Sequence, residues 1–280
     1  GLVVIKKFLY CFLSVFCMRI VLLFFVLLLL SSCSSQESLQ IGILSDVQGD
    51  AETLGLILDE FSDVDAVFFL GDANEYRNAE DDRLEMEAVF SKLSALDVPV
   101  YLLPGNHEVK EDYYAALVGT DLIDLSLGGF FDYDGFDVVS VPGYHLPDFP
   151  ARDGFVFDSI EPFKQGRDPL LLLAHGPPSG MGLDKTLTKK KVGSDVLADF
   201  ISSNDISFGF FGHIHESGGI AVDEDGEKIA EQIWTDSLFL NVGSVVPWPL
   251  ISGKRSKGMA AIVDLDPNTE YVRYSMVRLE

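Results

Sequence analysis

Beyond residue 38, continuous apolar runs alternate with segments whose apolar positions recur at helical spacing. "LQIGILSD" is an apolar run closed by Ser-Asp and predicts a buried strand, and "DAETLGLILDEF" predicts a helix. "DAVFFLGD" predicts a second strand, "DDRLEMEAVFSKLSAL" a second helix and "VPVYLLPGNHE" a third strand. This βαβαβ start predicts a parallel sheet covered by helices. Further on, "GGFFDYDGFDVVSVPG" predicts a hairpin turning at "DYDG". "DPLLLLAHGPP" and "ISFGFFGHIHE" predict two more strands, and "GSDVLADFISSN" a helix capped by Ser194. "LFLNVGS" follows, and "MAAIVDLDPNTEYVRYSMVRL" predicts a terminal hairpin turning at Pro267-Asn268. Phe68, Phe69, Phe208, Phe210 and Phe211 are expected in the core. Residues 180–194, polar and glycine-bearing, are expected to form a mobile loop beside His175 that covers the adjoining crevice.

The first 33 residues have a different pattern. "MRIVLLFFVLLLLSSC", Met18 to Cys33, has a basic start, an apolar stretch from Ile20 to Leu30, and small residues before a cysteine. That is the layout of a secretory signal. "LSSC", 30–33, also resembles the bacterial lipobox, which implies that Cys33 becomes the lipidated mature N-terminus. Residues 1–17 then read as a mis-extended start. The competing reading is a membrane anchor from Phe8 to Leu30, long enough to span a bilayer, with Arg19 at a cost near its middle. Both readings expect an extracytoplasmic domain anchored to the cell envelope, through lipid on Cys33 in the first. The expected organisation is a signal over 1–33, a tether over 34–38 and one domain over 39–280.

The net charge of the 280 residues is −24, and without residues 1–33 there remain 17 basic and 44 acidic side chains. Such a field opposes approach to a nucleic acid polymer or an anionic lipid surface. The three cysteines, Cys11, Cys17 and Cys33, all precede the domain, which excludes a disulfide framework or a thiolate metal site within it.

Chemistry gathers at the strand ends. The first strand ends in Asp46 and Gln48, the second in Asp72, and the third in Asn106 and His107. "LLLLAHGPP" ends in His175, and "FGFFGHIHE" in His213 and His215. Ligands of open α/β sheets collect outside the carboxyl ends of strands. Residues two apart in extended chain face the same way, so Asp46 with Gln48, and His213 with His215, are expected to project as pairs into one crevice. Oxygen and nitrogen donors without sulfur suit Mn²⁺, Fe or Zn²⁺. Their number suits two ions, and such a pair performs in-line attack of a metal-bound hydroxide on phosphorus.

In this order "SDVQ", "GDANE", "GNHE", "AHGPP" and "GHIH" resemble the motifs of the calcineurin-like metallophosphoesterases, over about residues 39–245. "NVGS", 241–244, is similar to that family's closing strand and turn. The resemblance implies an α/β fold of two facing β-sheets flanked by helices. It implies that Asp72 bridges two divalent ions, that Asp46 and His215 hold the first, and that Asn106, His175 and His213 hold the second. His107 is then the residue that stabilises the phosphoryl group or protonates the leaving alkoxide, and Glu108 the acid that orients it. Mn²⁺ is the favoured ion, with Fe, Zn²⁺ or Mg²⁺ as others.

Gln48 departs from the family's D-x-H pattern. A glutamine oxygen is a weaker ligand than imidazole and can also hold a metal-bound water. Gln48 therefore predicts a weakened first site that prefers Mn²⁺ or Mg²⁺ to Zn²⁺.

Taken singly, the aspartates could cap helices, Asn106 could be a turn residue and His175 a core histidine. His145 reads as a surface-loop residue and Lys189–Lys191 as a solvated run, a guide for phosphate being the sharper alternative. Trp234 and Trp248 read as packing or as walls of a substrate cleft. The expected activity is hydrolysis of a phosphomonoester or phosphodiester in a small phosphorylated substrate. The alternative is a catalytically weak envelope lipoprotein that uses the fold as a binding module, and purely structural metals come last. The sequence leaves the oligomeric state open.

Overall fold

The computed structural model describes residues 38–75, 78–144, 154–155, 157, 160, 170–188 and 190–280, with the backbone alone at 79 and 170. Cys33, His145 and Lys189 lie outside these residues, as do residues 1–33, read above as a signal, and most of the expected tether over 34–38. Among the described residues no helix is long and apolar enough to cross a membrane.

The strands are β1 (Leu39–Leu44), β2 (Ala66–Phe69), β3 (Val100–Leu102), β4 (Ile123–Asp124), β5 (Gly129–Tyr133), β6 (Phe136–Val141), β7 (Leu170–Ala174), β8 (Phe208–Phe211), β9 (Ile220–Val222), β10 (Leu238–Asn241), β11 (Met259–Asp266) and β12 (Tyr271–Arg278). The helices are α1 (Ala51–Asp59), α2 (Ala79–Ser94), α3 (Lys110–Leu117) and α4 (Asp195–Ser203). They build two six-stranded sheets, ordered β12-β11-β1-β2-β3-β4 and β5-β6-β7-β8-β10-β9. In the first, β1 to β4 run parallel. In the second, β6, β7, β8 and β10 run parallel. The predicted parallel start is present, but the terminal hairpin β11–β12 extends it antiparallel through β1.

The period-2 alternation of strand side chains decides the layering. Ile41, Ile43 and Phe68 of the first sheet share one buried cluster with Val138, Leu171, Leu173, Phe208 and Phe210 of the second. The two sheets therefore pack face to face. The alternate residues Leu44, Val67 and Phe69 pack instead on Leu54, Ile57, Met86, Phe90 and Tyr113 of α1 to α3. On the other outer face, Val139, Leu172 and Phe211 meet Leu197, Phe200 and Ile201 of α4. The result is two facing sheets flanked by helices, and all five named phenylalanines are buried in it. Because both faces of the central strands are covered, these strands read as unbroken apolar runs rather than alternating ones.

The local signals act where expected. Ser194 caps α4 by accepting from the Leu197 amide at 3.2 Å. Asp134 and Gly135 both take positive φ at the β5–β6 turn, as a tight hairpin requires. Among the described residues of 180–194 the backbone pairs locally into a ribbon, with bridges Pro178↔Ser194 and Lys185↔Lys191. Thr186 donates to the Lys190 carbonyl and Val192 to that of Asp184.

Candidate metal centre

The parallel strands of both sheets point their carboxyl ends at one place. There β1 delivers Asp46, β2 Asp72, β3 Asn106 and His107, β7 His175 and β8 His213 and His215. The sheets are stitched together at this point. His175 Nδ1 donates to the Leu70 carbonyl at 2.8 Å. The His213 amide donates to Asp46 Oδ2 at 2.8 Å, and the Val245 amide to the Ser45 carbonyl.

The expected pairing through extended chain is not what brings these residues together. Strands β1 and β8 end at Leu44 and Phe211. Asp46, Gln48, Asp72 and His213 then all adopt the left-handed conformation, with φ of 58°, 48°, 59° and 62°. His215 lies in a single 3-10 turn, His215–Ser217. Non-glycine residues rarely take positive φ, and each such residue costs on the order of 1–3 kcal/mol. Sharp turns point the side chains inward where alternation was expected to.

Glycine supplies the room. A Cβ at Gly105 would lie 2.8 Å from the Asp72 amide nitrogen and 2.8 Å from His175 Cε1. One at Gly212 would lie 2.5 Å from Asp46 Oδ2.

Asp72 Oδ1 accepts the amides of Asn106 and His107, each at 3.0 Å, which fixes Oδ2 toward the interior. His175 Nε2 lies 3.4 Å from that oxygen, 3.0 Å from Asn106 Oδ1 and 3.2 Å from His213 Nδ1. Since His175 Nδ1 carries the proton given to Leu70, Nε2 presents a lone pair, and so do the oxygens around it. Acceptors crowding acceptors need a cation between them. One ligand atom each from Asp72, His175 and His213 lies within 4.8 Å of the others, a fit for one ion. Asp46 Oδ1 and His215 Nε2 meet at 2.9 Å beside them.

The electrostatics agree. Asp46 and Asp72 are buried. Burial alone would raise both carboxyls, but the facing His215 and His175 hold them below the ordinary carboxylate range. Burial would lower His175, yet the Asp72 carboxylate pushes it up to about 10. Burial and the His175 charge drive His213 down to about 3. A donor set of two carboxylates, an amide oxygen and neutral imidazoles suits a hard or borderline divalent ion.

His107 Nδ1 donates to the Asn74 carbonyl at 2.9 Å, which leaves Nε2 facing Asp72 Oδ2 at 3.6 Å. Asn74 therefore orients the ring, a role expected of Glu108. Buried Glu108 instead accepts the Ala73 amide at 2.6 Å and the Gly105 amide at 2.8 Å, clamping the two loops that carry Asp72 and Asn106. Burial and Asp72 push its carboxyl up to about 7. Gln48 donates its backbone amide to the Asp72 carbonyl at 3.0 Å. Its half-buried side chain makes no hydrogen bond among the described residues.

Four supporting residues carried no separate signal in the sequence. Asn241, fully buried, donates to the carbonyls of Gly212 and Ile214 and so holds the turn that carries His213. Ser244 donates to the Asp46 carbonyl at 3.1 Å. Only the "NVGS" string pointed to them. Asn74 lay inside the quoted "GDANE" but had no role there. Tyr144, whose ring lies 4.0 Å from that of His213, had no motif to mark it. Trp248 meets His215 edge-on at 4.7 Å, whereas Trp234 packs under Arg273 at 4.6 Å.

A family described as calcineurin-like phosphoesterase matches residues 39–217. A probable cyclic nucleotide phosphodiesterase of Rhodococcus erythropolis (strain PR4 / NBRC 100887) is 28% identical over 160 residues, 55% of this chain and 52% of the relative. The chain thus spans about half the length of the curated relative it matches. Among solved structures, TT1561 of Thermus thermophilus matches with a TM-score of 0.52 at 15% identity, over 85% of this chain and 98% of that one. A metallophosphoesterase from Sphaerobacter thermophilus matches with a TM-score of 0.45 at 16% identity, over 87% of this chain and 89% of that one. The first of these two is a likeness of fold. With more than half of its length matched by the family, the chain belongs to the calcineurin-like phosphoesterases.

Proposed function

We propose that this protein is a metal-dependent phosphoesterase that holds two divalent ions, Mn²⁺ by preference, and hydrolyses small phosphorylated substrates. The observation that carries the reading is the set of donors at Asp72, His175 and His213, the first two buried and the third half-buried, drawn to one point by residues of both sheets. Ions held there would polarise a phosphoryl oxygen and lower the pKa of a bound water. Asp72, Asn106, His175 and His213 would hold one ion, and Asp46, His215 and Asp72 the other, with Gln48 beside the second group. Two carboxylates against two ions leave an excess of positive charge, which favours an anionic substrate. His107, its ring fixed by Asn74, presents Nε2 where it can stabilise the phosphoryl group or protonate the departing alkoxide.

The ester is expected to be a monoester or a diester, and the Rhodococcus relative's name adds cyclic nucleotides to the candidates. The acidic surface argues against polynucleotides. By the lipobox resemblance of "LSSC", we propose that the domain works at the cell envelope, tethered by lipid on Cys33. Absence of acyl chains on Cys33 of the membrane-extracted chain, read by mass spectrometry with Cys33→Ser as the unlipidated control, would overturn that placement.

The test of function is hydrolysis of p-nitrophenyl phosphate, bis(p-nitrophenyl) phosphate and a cyclic nucleotide by metal-loaded protein. His107→Gln is expected to lower kcat about a hundredfold with metal content unchanged, the loss typical of a general acid. Unchanged kcat would remove His107 from the chemistry. Gln48→His is expected to tighten the weaker metal site by roughly tenfold, read by calorimetric titration, because imidazole is the stronger donor. An unchanged titration would make Gln48 a bystander.

A further inference from the structure

The chain is strongly acidic, yet among the described residues six basic side chains lie on two small hairpins beside the metal-ligand turn. The first is the ribbon that follows His175, with Lys185, Lys190 and Lys191 exposed. Its one acid, Asp184, has both carboxylate oxygens buried. The second is closed by the bridge Pro249↔Arg255 and by the Ser256 amide donating to the Trp248 carbonyl. It exposes Lys254, Arg255 and Lys257 and contains no acid from Val246 to Gly258.

Both hairpins are fastened to the three-residue turn that begins with His215. Ser217 Oγ donates to the Lys185 carbonyl at 2.7 Å, and the Ile251 amide to the Glu216 carbonyl at 2.9 Å. The first hairpin is fastened a second time, by the Tyr144 hydroxyl donating to the Val192 carbonyl at 2.7 Å, while the Tyr144 ring lies against His213. Trp248 starts the second hairpin with its ring against His215. Its indole N–H is buried and has no hydrogen-bond partner, a donor lodged between hairpin and metal-ligand turn. Both hairpins are therefore anchored to elements that carry metal-ligand residues.

We propose that these hairpins form a cationic rim that binds a second phosphate of the substrate, several bonds from the phosphorus that reacts. The inference rests on the phosphoesterase reading and narrows its substrate class to molecules with at least two phosphate groups. A rim is needed because the acidic surface repels such molecules, while only charges within about 8 Å act strongly at physiological salt. Arg255 adds a planar fork suited to a phosphate, and the lysines add mobile point charges.

The test is calorimetry on the metal-loaded full chain with two phosphonates that cannot be hydrolysed, butylphosphonate and butane-1,4-bisphosphonate. The bisphosphonate is expected to bind at least about tenfold more tightly, the gain of one or two charge-assisted contacts. Lys254→Ala/Arg255→Ala and Lys190→Ala/Lys191→Ala are each expected to cut that ratio below about threefold and to leave butylphosphonate affinity within about twofold. Arg83→Ala/Lys92→Ala, the same charge removed from α2, is expected to leave the ratio unchanged. Equal affinity for both phosphonates, or equal loss in the α2 control, overturns the rim. Turnover of p-nitrophenyl phosphate on the same protein separates the two ideas. Turnover without a bisphosphonate preference defeats the rim alone. A preference lost in the hairpin variants, with no turnover of p-nitrophenyl phosphate, bis(p-nitrophenyl) phosphate or a cyclic nucleotide, keeps the rim and defeats the phosphoesterase reading.

Discussion

Asp72→Asn protein is expected to fold, to lose at least one divalent ion, and to lose phosphoesterase turnover by roughly a thousandfold or more. The two oxygens of Asp72 have separate duties. Oδ1 accepts the amides of Asn106 and His107, and an asparagine oxygen can do the same. Oδ2 faces His175 and His107, and there an amide NH₂ would put a donor where a ligand is needed. Stability in chelator is expected to fall modestly, because the facing histidines more than offset the desolvation of the Asp72 carboxylate and hold it below its ordinary range, a stabilisation that asparagine lacks. Metal content by elemental analysis, kcat, and a thermal melt with chelator check the three parts. A melt that falls far in chelator while metal is retained would contradict the division of labour.

Gly105→Ala is expected to cost about 3 kcal/mol of stability and most of the activity. The position is one of close approach, where the added methyl would press on the Asp72 amide and the His175 ring. Neither can yield cheaply. The Asp72 backbone is held at φ 59° by its loop, and His175 is fully buried with Nδ1 donating to the Leu70 carbonyl. The Gly105 amide also donates to Glu108, so a shift of the loop strains the clamp that sets Asp72 against Asn106. Denaturant unfolding and kcat on one preparation check it. Full activity at reduced stability would mean that the site tolerates a displacement that metal geometry should not allow.

The fold was legible where physics is local. Unbroken apolar runs such as "AVFF" and "FGFF" are strands covered on both faces, and the Ser194 cap and the Asp134-Gly135 turn act through neighbouring residues. Helix α3 was missed because "KEDYYAAL" follows directly on "GNHEV" and buries only Tyr113 and Ala116. Strands β4 and β9, two and three residues long, are too short to show a period. The site residues were legible as a set, and the structure brings Asp46, Asp72, Asn106, His107, His175, His213 and His215 to one place. How they arrive there was not legible. Three of them use left-handed backbone that no side-chain pattern announces, and the roles of Asn74 and Glu108 depend on which loop ends up beside which.

The most direct measurement strips the metal from the purified protein and follows p-nitrophenol release from mono- and diester substrates as Mn²⁺ is added back. The account predicts no turnover in the stripped protein, recovery that saturates as two ions bind, and no recovery for Asp72→Asn. Turnover that persists without metal, or that returns equally in the Asp72→Asn protein, would contradict a catalytic centre built on Asp72, His175 and His213.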